Sequence, residues 1–209
     1  MNSVMNGKFA GIMLATAIAA VAGCFNEPES ADKTVSPDQR VYLQDRGISS
    51  WAEGVAGRLK GDIAAIDYLN LDRNRLADVS GVEKLTGLKW LRLNSNRLSA
   101  LPDLKALSAL RRIYLRGNRF TAVPETLKDL PSLTDIDLSD NPLAEVPLWL
   151  AQKKGLENLS FSNTGIVRLP EDISAWKSLK SLQLGGLNIP PSEMARIRKA
   201  LGTDVAIVF

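Results

Sequence analysis

The chain has 209 residues, 45% of them hydrophobic and 23% charged, the composition of a folded rather than a disordered protein. Its formal net charge of +3 is too slight an excess to make nucleic acid the expected partner. With no histidine and one cysteine, it excludes Ser-His-Asp and Cys-His catalysis, histidine-ligated zinc and intrachain disulfides.

Lys8 precedes an apolar run, FAGIMLATAIAAVA, from Phe9 to Ala22. A membrane-spanning helix needs roughly 20 such residues, so the run is too short to span. A positive start, a short apolar stretch and small residues at its end are the parts of an export signal. Met5, opening MNGK directly before the run, is the more usual place for such a signal to begin. The run closes on Val21-Ala22-Gly23-Cys24, which resembles the lipobox of bacterial lipoproteins. That resemblance implies removal of residues 1–23 as a signal peptide and acylation of Cys24, palmitate being one such chain. Each buried CH₂ then contributes about 0.8 kcal/mol, and two or more chains anchor stably. The resemblance places the protein in the bacterial cell envelope. Phe25 stands where an aspartate would favour inner-membrane retention, which favours the outer membrane.

Residues 24–38 are polar, carry Pro28 and Pro37, and have little to bury, so they read as a tether. The stretch from Asn26 to Asp38 has a root-mean-square reach of roughly 20 Å. Residues 39–65 form an N-terminal cap or degenerate repeat, with Val41, Leu43 and Ile48 loosely in phase and Trp51 as a buried cap residue.

From Ile66 the chain repeats. IDYLNLDRNRL (66–76), LKWLRLNSNRL (88–98), LRRIYLRGNRF (110–120), LTDIDLSDNPL (133–143), LENLSFSNTGI (156–166) and LKSLQLGGLNI (179–189) share one frame. Aliphatic or Phe side chains hold the first, fourth, sixth and eleventh places of all six. The pattern is similar to LxxLxLxxNxL of the leucine-rich repeat family over residues 66–189. Around each central LxL, side chains alternate apolar inward and polar outward, as in a short strand. Asn74, Asn96, Asn118 and Asn141 recur at the ninth place. In the family such asparagines form a ladder that satisfies the backbone of adjacent turns. Thr164 and Leu187 replace the asparagine in the last two repeats, and Lys153 stands where a leucine is expected. Residues 190–209 read as a C-terminal cap: a helix N-capped by Ser192 and ended by Gly202, then a closing strand over Val205 to Phe209. The fold class is therefore α/β: a leucine-rich repeat solenoid with short parallel concave strands, short or irregular convex segments, and caps at both ends.

Successive repeats place outward residues in columns about 4.8 Å apart, and six strands present a face roughly 24 Å wide, the scale of a polypeptide. One column runs Tyr68, Trp90, Arg112, Asp135, Asn158, Ser181, and the next Asn70, Arg92, Tyr114, Asp137, Ser160, Gln183. Arg116 follows in a third. Tyr, Trp and Arg are the usual interface hot spots, so Tyr68, Trp90, Arg92, Arg112, Tyr114, Arg116, Asp135 and Asp137 are the candidate protein-binding residues. Trp90, Arg112 and Asp135 equally make a column that satisfies itself by cation–π contact and a salt bridge. Asp135, Asp137 and Asp140 along one strand lack the six to eight oxygens calcium takes, and no metal or cofactor is expected. Arg73, Arg75, Arg97 and Arg119 line one edge without interleaved aromatics and read as a solvated face, not a nucleic-acid site.

Every repeat residue has a scaffolding role and no nucleophile–base pair or phosphate loop occurs, so a non-enzymatic, lipid-anchored, extracytoplasmic module that binds a protein or peptide is expected. A structural or assembly component of an envelope complex is the alternative.

Overall fold

The computed structural model describes residues 39–209. The signal peptide expected over residues 1–23, the expected lipidation site Cys24 and the expected tether over residues 24–38 lie outside the described residues. Eight three-residue strands follow one another: β1 (Arg40–Tyr42), β2 (Tyr68–Asn70), β3 (Trp90–Arg92), β4 (Arg112–Tyr114), β5 (Asp135–Asp137), β6 (Asn158–Ser160), β7 (Ser181–Gln183) and β8 (Ala206–Val208). They form a single sheet in chain order, every neighbouring pair parallel and in register. The two caps each contribute a strand, so the sheet is about 34 Å wide at the usual strand spacing, broader than the six repeats alone provide.

Repeat lengths of 22 or 23 residues keep the strands in register. The central residues of β2 to β7 (Leu69, Leu91, Ile113, Ile136, Leu159 and Leu182) are all fully buried and stack into one core. No turn could bury its apolar face without its neighbours. Val79, Val82 and Leu85 close the first repeat from the convex side, and Val123, Leu127 and Leu130 the third.

The asparagines hold the turns together. Asn118 Nδ2 donates to Leu93 O at 2.9 Å and Leu115 O at 2.8 Å, and its Oδ1 accepts from Leu98 N at 3.0 Å. Asn74, Asn96 and Asn141 repeat that arrangement one turn away each. Asn74 reaches into the N-terminal cap, accepting from Arg46 N and Ile48 N, which makes residues 39–65 a true, if irregular, turn of the stack. Thr164 retains only one bond, to Phe161 O at 2.8 Å.

A second regularity lies at the eighth place, where the chain leaves the strand through the left-handed region. Arg73, Ser95, Gly117, Asp140, Asn163 and Gly186 all have φ between +54° and +75°. Only two are glycine, so tertiary packing overrides the local preference of the rest.

Lys153 fits its leucine place by reaching across. Its Nζ donates to Leu130 O at 2.8 Å and Lys128 O at 3.0 Å, and partial burial holds its ammonium below the usual lysine range. One repeat on, Trp176 is fully buried and donates Nε1 to Leu150 O at 2.9 Å. Just before Lys153 a helical turn, α2 (Leu148–Ala151), replaces the 3₁₀ turns of the first and third repeats' convex segments.

Both ends are covered. At the N-terminus, helix α1 (Trp51–Gly54) starts at Ser50, whose hydroxyl accepts from Glu53 N, and buries Trp51 against Gly81. At the C-terminus, helix α3 (Pro191–Leu201) begins one residue before Ser192, with Pro190 as its N-cap. Ser192 is therefore not the cap. Proline at the first helical position needs no N–H partner and presets φ, so it outcompetes the serine. Gly202 ends the helix at φ +76°. Glu193, 7% exposed, pins α3 to the last repeats: it accepts from Leu169 N at 2.9 Å and from Arg196 Nε at 2.8 Å. Arg196 donates in turn to Leu169 O and Pro170 O.

Candidate functional site

Strands β1 to β5 bring the candidate residues together on the concave face. Four aromatic rings form a continuous chain across four strands. Tyr42 and Tyr68 lie 5.2 Å apart, Tyr68 and Trp90 meet edge to face at 5.0 Å, and Trp90 and Tyr114 at 5.7 Å. Three guanidiniums cover them: Arg112 sits 5.0 Å from the Trp90 ring, Arg92 5.7 Å from Tyr114 and Arg40 6.0 Å from Tyr68. Each such contact contributes about 0.5–1 kcal/mol at exposed sites and more when desolvated.

The acids lie beneath the arginines. Asp72 binds Arg92, with 2.6 Å to Nη2 and 2.8 Å to Nε. Asp135 faces Arg112 Nε at 4.0 Å and accepts from Asn158 Nδ2 at 2.6 Å. Asp140 takes Arg116 at 2.5 Å and Asn163 at 2.7 Å. Asp137 is fixed by Ser139 N at 2.9 Å, and burial pushes its carboxyl above the usual aspartate range. Burial, with the Asp135 carboxylate beside it, raises the Tyr114 phenol too.

Several candidates are thus less available than their outward place in the repeat implies. Tyr68 and Tyr114 are 4% and 2% exposed, and Asp135 and Asp137 4% and 6%. Outward residues on a flat sheet would stand clear of one another. On the concave side large rings fill the space between columns, and the long arginines fold over them. What reaches solvent is Tyr42 at 46%, the exposed Arg40 and Arg116, and the half-buried Arg112, Trp90 and Arg92. Sequence reasoning missed Arg40 and Tyr42, whose strand belongs to the cap. Their pairing with Tyr68 and Asn70 extends the same two columns by one strand.

A further feature is a ladder along the third column. Asp72 Oδ1 accepts from Asn94 N at 2.8 Å, and Asn94 Oδ1 from Arg116 N at 2.9 Å. These polar residues, nominally outward, fasten one strand end to the next. Among the described residues no group of His, Cys, Asp and Glu is arranged to hold a metal ion, and no helix is long and apolar enough to cross a membrane.

The comparisons with known proteins agree with this architecture. The leucine rich repeat family model matches residues 86–143. A solved leucine-rich repeat protein of Leptospira interrogans is similar at 34% identity with a TM-score of 0.65. That match covers 70% of this chain and 38% of the other, so the chain spans well under half of its length. No curated protein matches. Six in-phase repeats, an asparagine ladder, an eight-stranded parallel sheet and these two likenesses together give the described part of this chain the fold of a leucine-rich repeat solenoid.

Proposed function

We propose that the chain is an extracytoplasmic binding module, anchored in the envelope through an acylated Cys24, that takes a protein or peptide on the N-terminal half of its concave face. Leucine-rich repeat domains generally bind proteins or peptides, which supports the coarse reading. The carrying observation is the ring of Arg40, Tyr42, Trp90 and Arg112, in which aromatic and guanidinium surface is held rigid yet partly open. Such residues gain most on association because little side-chain freedom remains to be lost. The export signal with its single cysteine supports the anchor.

The test is photo-crosslinking in the native cells, with the reactive residue at Tyr42 and a control at the exposed Asn163. A discrete adduct at Tyr42 alone supports the reading. The same adduct from both positions favours permanent packing into an assembly, and none at either rejects the concave face. Membrane partition of a Cys24→Ser variant tests the anchor separately: unchanged lipidated maturation removes it.

A further inference from the structure

The edge of the sheet carries a row of arginines that the concave site does not use. Arg75, Arg97 and Arg119 occupy the tenth place of three consecutive repeats, and all three are exposed. Their backbones are locked in register, Arg75 N donating to Ile48 O at 2.7 Å, Arg97 N to Leu76 O and Arg119 N to Leu98 O at 2.8 Å. Like neighbouring strands, they recur about every 5 Å. Arg73, Arg92, Arg112 and Arg116, on the neighbouring places of the same repeats, each have an acid partner. Among the described residues, Arg75, Arg97 and Arg119 are held by no ion pair or side-chain hydrogen bond.

The surroundings offer hydroxyl groups. Two residues beyond Arg97 and Arg119 stand Ser99 and Thr121, which line a shallow cavity of about 260 Å³ with Thr126. The Thr126 hydroxyl is buried and has no hydrogen-bond partner, and Glu125 is the one acid in the lining. The charge of the chain is also lopsided. Residues 39–119 carry 15 Lys and Arg against 8 Asp and Glu, a net +7, whereas residues 120–209 carry 9 against 11, a net −2. The positive half is the one that continues directly into the segment bearing Cys24.

We propose that this arginine edge docks on an anionic lipid surface, its guanidiniums on headgroup phosphates and the Ser99 and Thr121 hydroxyls beside them. The inference rests on the membrane-anchored reading, because an acyl anchor at Cys24 brings the basic edge within reach of lipid headgroups, where each arginine near the surface adds to binding. Docking the edge leaves the concave face open to a partner.

The test uses the full chain with Cys24→Ser, so that its outcome is independent of acylation. Flotation compares neutral phosphatidylcholine vesicles with vesicles containing roughly one third phosphatidylglycerol, at low and high salt. The expected result is tighter binding to the anionic vesicles, suppressed by salt. Arg75→Gln with Arg97→Gln and Arg119→Gln should weaken it roughly a hundredfold, the effect of three arginines near a charged surface. Replacing Lys154, Lys177 and Lys199 with Gln should not. Equal binding to both vesicles, or an anionic preference that survives the triple arginine variant, overturns the proposal. Arginine-dependent binding to heparin without vesicle preference also overturns it, in favour of a soluble polyanion.

Discussion

Asn118→Ala measures how much of the stack's cohesion passes through one ladder rung. The substitution removes donations to Leu93 O, Leu115 O and, at 3.4 Å, Arg116 O, and one acceptor, for Leu98 N. The losses are unequal, and Arg116 O keeps its bond from Ser95 N. Leu93 O retains a bond from Asn96 Nδ2 and Leu115 O one from Asn141 Nδ2, so neither carbonyl is orphaned. Leu98 N has no other acceptor and sits beside a fully buried side chain. An orphaned buried N–H costs about 1–3 kcal/mol, and each forfeited shared bond about 0.5–1. The expected loss is therefore about 3 kcal/mol. At a urea m-value of about 2–3 kcal/mol/M, the unfolding midpoint should fall by roughly 1–1.5 M. Asn118→Thr should keep the short bond to Leu115 O, as Thr164 does to Phe161 O, but still strand Leu98 N, and so recover less than half of the loss. Hydrogen exchange supplies the local readout: Leu98 N should lose protection selectively. A midpoint shift under about 0.3 M, or unchanged protection at Leu98, would refute this account of the ladder.

Three further outcomes are expected. Gly81→Ala should destabilise the N-terminal turn by about 3 kcal/mol, because φ is +119° and the new methyl meets the Trp51 indole; differential scanning calorimetry and Trp fluorescence check it. Glu193, whose carboxyl the bonds from Arg196 hold below its ordinary range, should contribute stability above the usual glutamate pKa and lose it as pH falls through its folded value. Glu193→Gln should flatten that acid limb and lower stability at neutral pH by about 2 kcal/mol, read from urea melts at a series of pH values. Asp137 should behave oppositely, since burial raises its folded pKa and its ionisation opposes folding as pH rises above the usual aspartate range. Asp137→Asn should therefore raise the unfolding free energy at neutral pH by on the order of 1 kcal/mol, read from urea melts; a destabilised variant would show that the carboxylate is needed as a charge.

The sheet was legible because one physical constraint repeats. Leu69, Leu91 and Ile113 recur every 22 residues and stack in register as parallel strands, and that interval is written in the sequence. The ninth-place asparagines were legible for the same reason. Three other features were hidden for physical reasons. The left-handed eighth place shows itself only at Gly117 and Gly186; Arg73, Ser95 and Asp140 adopt it because both neighbouring turns do. Asp72 and Asn94 look like solvated outward residues, and their ladder exists only once the strands are brought together. The burial of Tyr68 and Tyr114 follows from rings on neighbouring strands closing over one another, which no single repeat encodes. At the C-terminus, Ser192 was the better cap by residue preference, but Pro191 presets the backbone of the first helical position, so the helix starts there with Pro190 as its cap.

The same packing decides how the concave face can be interrogated. Trp90 contacts Tyr68, Tyr114 and Arg112, so truncating it removes two edge-to-face ring contacts and a cation–π contact before any partner is present. Each ring pair is worth about 0.5–1.5 kcal/mol, so Trp90→Ala perturbs stability and recognition together, and a binding defect in that variant identifies no site. Tyr42 and Arg40 differ. They lie on β1 at the margin of the aromatic chain, are exposed, and have one ring or cation contact each, both with Tyr68. Their truncation should leave the solenoid's unfolding close to unchanged while removing the most accessible aromatic and guanidinium surface. The residues that make the patch rigid and those that offer it to a partner are thus different, and the strand from the cap, rather than the most regular repeats, holds the second group.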